Sequence, residues 1–166
     1  MKNNGFSLVE VLVAIVIMGI LMTVAVPAYN GMQTKAKIEA ETKELHAAIV
    51  STRLDAMQKK QRRALFLGPN QYVFKVYTSL DDTISAWKTV STTSLQFPIQ
   101  KLVSGSLTAF DVSTDKIDFD TNGFTINLMT LVVTPVKYSG GKNCIKVHTA
   151  RTNMGRMESG NVCTIQ

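Results

Sequence analysis

Residues 11–34 contain no charged side chain, and the apolar part of that run, 11–29, is long enough to span a bilayer as a helix. A secretory signal peptide has a shorter apolar core and ends in a small-x-small cleavage site. Here no A-x-A site precedes a clear domain start, and the helical pattern continues past the apolar run. Lys35, Lys37, Glu39, Glu41, Lys43 and Glu44 come next, in mixed order. Among them Ile38, Leu45, Ile49, Thr52 and Ala56 recur at helical spacing and form one packing stripe. Glu39 and Lys43 make a favourable i,i+4 pair. The first strong stop is Gly68-Pro69, preceded by the basic run Lys59-Lys60-Gln61-Arg62-Arg63, and cations suit a helix C-terminus. These signals predict one helix from about Phe6 to about Leu65, roughly 90 Å long at 1.5 Å per residue. Its first half is apolar all round and its second half amphipathic, which suits a helix half in lipid and half packed on a domain.

Glu10 stands at the start of the apolar run. An ionised carboxylate in hydrocarbon costs several kcal/mol, on the order of 3, unless it is neutralised or paired. Either Glu10 sits at the membrane interface and needs no partner, or a cation from another chain meets it. Gly19 and Pro27 weaken the helix within the apolar half, since proline removes a backbone donor and clashes with the carbonyl four residues back.

The stretch Gly5-Phe6-Ser7-Leu8-Val9-Glu10, after a short polar leader with Lys2, resembles the cleavage and methylation motif of type IV prepilins and pseudopilins. The resemblance covers every motif position and the apolar run after it. It implies that prepilin peptidase cuts between Gly5 and Phe6 and methylates the new Phe6 amine. A glycine before the cut allows close backbone approach. It also implies that Glu10 pairs with the N-terminal amine of a neighbouring subunit and sets register during assembly, and that the stretch around Pro27 partly unwinds in the filament. The motif also implies an orientation: N-terminus in the cytoplasm, one crossing of the bacterial inner membrane, C-terminal domain in the periplasm, then transfer to a filament. Charge alone does not give it, because Lys2 stands nearly alone on the cytoplasmic flank while Lys35, Lys37 and Lys43 lie beyond the run. The expected divisions are a leader at 1–5, a membrane and assembly half-helix at 6–29, an amphipathic half-helix at 30–67 and a head domain at 68–166.

After Pro69 the pattern changes to short alternating runs, and 71–77, 88–90, 94–97, 116–119, 124–133 and 143–148 read as strands. Turns are marked at 120–123 and 139–142. With 166 residues there is room for one core, and 45% hydrophobic with 18% charged residues is ordinary for a folded domain. The expected class is α+β: one long N-terminal helix packed on an antiparallel sheet, the pilin arrangement. The order of features is similar to the GspH/FimT-type minor pseudopilins and minor pilins. It runs Ile117-x-Phe119 before Gly123, a long apolar strand, a Cys-Ile-x-Val strand, then Gly155-Arg156. In DNA-binding members of that group a Gly-Arg-x-Arg motif contacts DNA. Here the second Arg is replaced by Glu158, although Lys146, Arg151 and Arg156 keep the tail basic and stand as the DNA-binding candidates.

The net charge of +6, or +5 once Lys2 is removed with the leader, favours anionic partners without naming one. Cys144 and Cys163 are two isolated cysteines. A bridge between them would close a loop of about 20 residues and stabilise by roughly 3 kcal/mol in an oxidising compartment. The alternative is two buried thiols; without clustered histidines they do not make a structural zinc site. Asp118-Phe-Asp120-Thr-Asn122-Gly123 matches the opening of an EF-hand loop, but Met129 stands at the twelfth position where a bidentate Glu is needed, and a tight turn explains the same residues. No phosphate-cradling loop, nucleophile elbow or metal-ligand pair is present in the sequence, and His46, His148 and Trp87 read as packing or surface residues. The sequence therefore predicts a filament subunit without catalytic residues, cofactor or metal. Its partners would be other pilin subunits, prepilin peptidase, an inner-membrane assembly platform and membrane lipid. A DNA-capturing minor pilin and a major pilin are the alternatives.

Overall fold

The computed structural model describes residues 7–78, 87–136 and 141–165, without the side chains of residues 24, 25, 27 and 28. Gly5, Phe6 and the first part of the turn expected at 139–142 lie outside the described residues. Helix α1 spans Leu8–Lys59, and the chain divides into two compact units, Met1–Thr34 and Lys35–Gln166.

The first unit is helix. Ser7 stands at its N-cap and Glu10 at N3, the S-x-x-E spacing of a capping box, and the Ser7 carbonyl accepts the Glu10 N–H at 3.0 Å. A carboxylate in the first turn also complements the partial positive charge of the helix N-terminus. Every large apolar side chain described in this unit is exposed, from Val11 at 49% to Leu8 at 80%, on all sides of the helix. Among the described residues no helix is by itself long and apolar enough to cross a membrane. Counted on the sequence, residues 11–28 are eighteen consecutive positions without a charge, about 27 Å of helix, and four of their side chains are outside those described.

In the second unit the predicted stripe is the buried one. Ile38, Leu45, Ile49, Thr52 and Ala56 are each 3% exposed or less. Ile38, Leu45, Ile49 and Ala56 pack into one core with Leu65, Leu67, Ile99, Ile117, Phe119, Leu131, Val133, Ile145 and Val147. The helix ends at Lys59, not near Leu65. Lys60 takes a left-handed conformation with φ 49°, and the Gln61 N–H reaches back to the Ala56 carbonyl at 3.2 Å, which closes the helix in the manner of a Schellman cap.

Past this cap the chain leaves the helix and enters β1, Arg63–Gly68, buried at every position. Among the described residues β1 is joined by β2 (Gln71–Tyr77), β3 (Trp87–Ser94), β4 (Ile99–Val103) and β5 (Ser106–Ala109). Then come β6 (Lys116–Phe119), β7 (Met129–Val133), β8 (Cys144–Val147), β9 (Thr152–Glu158) and β10 (Val162–Ile165). They form two antiparallel sheets, of order β3-β2-β1-β6 and β10-β9-β8-β7-β4-β5. The expected α+β class holds, with two sheets in place of one.

Two expected strands are shorter or absent. Of the strand expected at 94–97 only Ser94 is in a strand, as the end of β3; past it the Glu41 carboxylate takes the Gln96 and Phe97 N–H groups at 3.2 and 3.0 Å. Of 124–133 only Met129–Val133 joins the sheet. Upstream, Asp120 Oδ1 accepts the Asn122 and Phe124 N–H groups, and Asn127 Oδ1 accepts that of Asp118. These side-chain bonds compete with the ladder for the same backbone groups. Asp120 thus serves as the turn's own acceptor.

Candidate assembly site

Two features of the N-terminal unit bear on assembly: the Glu10 carboxylate and the apolar surface behind it. Glu10 is exposed in the first helical turn, and Leu8, Val11, Leu12 and Ile15 line one open groove next to it. The next charged side chain is Lys35. The helix therefore presents a single carboxylate at the head of an uncharged cylinder, and among the described residues the next charge is 25 positions along the chain. The side chain of Pro27 is outside the described residues; α1 is assigned as helix through Gly19 and position 27.

In the head, three devices hold the fold that must carry this helix. The first is Glu41, 8% exposed on the buried side of the helix between Ile38 and Leu45. Burial pushes its carboxyl above the usual carboxylate range; the Phe97 and Gln96 N–H groups pull it down, and Glu44 pushes it further up. A group whose folded pKa is raised takes up its proton more readily in the folded state. Its ionisation therefore lowers stability as pH rises from the unfolded value of 4.5 through the raised folded one. A Glu41→Gln chain lacks this dependence. Its stability relative to the parent is expected to increase between pH 4 and pH 7, measured by urea melts across that range, and a flat difference would contradict the assignment. The sequence signal for Glu41 is an acid at helical spacing on an apolar stripe, a position that the spacing of apolar residues alone does not pick out.

The second device is the Cys144–Cys163 disulfide, which ties β8 to β10. The third is the glycine that lets it pass. β9 lies between those strands, Gly155 pairs with Cys144 and Met157 with Cys163. A Cβ at Gly155 would overlap the Thr164 carbonyl oxygen and sit 3.2 Å from Cys163 Sγ. Gly155→Ala must push β10 away. The expected cost is about 1–3 kcal/mol, read as a lowered melting temperature, with quicker reduction of the disulfide by dithiothreitol. Melting and reduction like the parent's would show that β10 has slack.

The three DNA-binding candidates are not gathered into one patch. Register pairs Cys144 with Gly155 and Ile145 with Met154, so Lys146 shares the Cys144 face of the sheet and Arg156 the Met154 face. Glu158, the acid that departs from the Gly-Arg-x-Arg pattern, pairs with Arg156 at 3.7 Å. Arg151 is exposed in the turn between β8 and β9.

Comparison with known proteins bears on both ends of the chain. The family model described as the prokaryotic N-terminal methylation motif matches residues 1–26. The fimbrial protein EcpB of Eikenella corrodens is 34% identical over 84 residues, taking in 42% of this chain and 53% of that protein, so the match spans about half of that curated relative. Two solved structures share the fold at 11% identity. The type IV minor pilin FimU of Pseudomonas aeruginosa has a TM-score of 0.52 and covers 80% of this chain and 96% of its own. The minor pseudopilin EpsH from the type II secretion system of Vibrio cholerae has a TM-score of 0.53 and covers 73% and 94%. The chain thus carries the N-terminal methylation motif and shares its fold with the solved minor pilin and minor pseudopilin structures.

Proposed function

We propose that the chain is a minor subunit of a type IV pilus or a type II secretion pseudopilus. The observation that carries this reading is the fully exposed apolar helix of the first unit, joined in sequence to a head with its own closed core. A soluble protein does not leave such a surface uncovered. Lipid covers it first, and neighbouring helices cover it in the filament, where association rests on packing and polar pairing because lipid tails are as apolar as the helix.

Prepilin peptidase would remove residues 1–5 and methylate Phe6. The new amine, still cationic after a single methylation, is the partner that the lone Glu10 carboxylate of an adjacent subunit would take. An assembly platform in the inner membrane would draw the helix from the bilayer, with the head on the periplasmic side. The test is deletion of the gene with sheared surface filaments and the secreted proteome compared with those of the parent strain. Lost filaments with normal secretion identify a pilus subunit, and lost secretion with normal filaments a pseudopilin. No change in either overturns the assembly role.

A further inference from the structure

The outer face of the four-stranded sheet carries chemistry that filament assembly does not use. Alternation along β1, β2 and β6 brings Phe66, Lys75, Tyr77 and Lys116 to that face, and the register sets Trp87 of β3 opposite Tyr77. Trp87 meets Phe66 and Tyr77 edge-on, with ring centroids 5.8 and 5.1 Å apart. Lys75 Nζ stands 3.9 Å from the centre of the Phe66 ring and Lys116 Nζ 4.9 Å from that of Trp87. Among the described residues Asp118 is the acid paired on this face, with Arg62 at 3.2 Å and with Lys116 at 3.7 Å. Among the described residues no carboxylate pairs with Lys75.

Next to these side chains is a cavity of about 200 Å³ lined by Phe66, Trp87, Ser113, Thr114 and Lys116. It is smaller than the pockets that enclose drug-sized ligands, yet it offers an aromatic wall, two hydroxyls and a cation. A plain polyanion would use the cations and leave the aromatic cavity idle. Cations spaced along a face with an aromatic wall between them fit a strand whose phosphates and unpaired bases are both within reach. Lys75 and Lys116 already lie over rings, so less freedom is lost when they meet a phosphate.

We propose that this face binds single-stranded nucleic acid, with phosphates on Lys75 and Lys116 and one base in the cavity against Trp87. The site is separate from Lys146, Arg151 and Arg156, and it stands whether or not the chain assembles into a filament. Trp87 is the only tryptophan of the protein, so its emission reports on the site directly. The experiment titrates the full chain in detergent micelles with a dodecathymidine oligonucleotide, using fluorescence anisotropy and Trp87 emission at several salt concentrations.

Binding is expected to quench Trp87. The double variant Lys75→Gln/Lys116→Gln should bind about tenfold more weakly or worse and lower the salt slope by roughly 1.4, at about 0.7 per phosphate contact on a single strand. Lys146→Gln/Arg156→Gln should bind as the parent does, and Lys116→Arg, which keeps the charge, should retain binding even if the double variant folds poorly. Binding that leaves Trp87 emission unchanged would overturn the proposal. So would duplex DNA or heparin quenching Trp87 as well as the oligonucleotide does, or full affinity in the folded double variant.

Discussion

A Glu10→Ala chain is expected to be cleaved, methylated and held in the membrane, yet to be missing from sheared filaments when it is the only copy expressed. The change removes the one charged side chain between residues 6 and 34, so insertion into lipid becomes easier, not harder. What is lost, on the proposed assembly, is the pairing of Glu10 with the amine of an adjacent subunit. The flanking Leu8, Val9, Val11 and Leu12 are apolar and Ser7 offers only a neutral hydroxyl, so no carboxylate beside Glu10 can take over. Because the Ser7 carbonyl accepts the Glu10 N–H through the backbone, the first helical turn survives the substitution. Glu10→Gln separates charge from hydrogen bonding: it keeps an acceptor, and partial recovery of assembly would assign the remainder to ion pairing. Immunoblots of membrane and sheared fractions give the readout, and normal amounts of Glu10→Ala protein in the sheared fraction would contradict the pairing.

Stability is expected to fall furthest in a Leu45→Ala chain. Leu45 is fully buried in the core that joins the amphipathic part of the helix to both sheets, and truncating such a leucine costs about 2–5 kcal/mol from lost transfer energy and the cavity left behind. Domains of this size are stable by only about 5–15 kcal/mol, so the variant is expected to melt about 8 °C or more below the parent. Lys43→Ala, two positions away in an exposed ion pair with Glu39, should change the melt little. Equal effects of the two substitutions would mean that the helix is not held by its stripe.

That stripe was legible because helical spacing of apolar residues is a local signal, and all five of its members are buried. The helix end was not. The Ala64-Leu-Phe-Leu67 run is buried on both faces and shows no alternation, so it reads equally as a continuation of the helix or as a central strand. The left-handed residue that decides the matter is Lys60, where no glycine gives notice. Strands β9 and β10 were missed for another reason. Thr152–Glu158 is polar with a glycine in the middle, and what holds it in the sheet is pairing with β8 and a disulfide passing over that glycine, both long-range.

Among the assembly residues, the motif around Gly5, Phe6 and Glu10 was readable at once, because a cleavage signal is a contiguous string. The layout of the basic tail was not legible, since a run of cations does not say which face of a strand each occupies: Lys146 and Arg156 fall on opposite faces. The sheet face with Lys75, Trp87 and Lys116 draws its members from three strands, so only the register brings them together.

Processing as a prepilin would leave a mark on the mass of the chain, and the fraction that holds that mass would report incorporation. Intact-mass analysis of the protein recovered from sheared filaments, or from an overexpressed pseudopilus, reads that mark. The expected species starts at an N-methylated Phe6 and retains its disulfide. A chain that still carries residues 1–5 would contradict the proposed processing, and one found only in the membrane fraction would contradict the proposed incorporation.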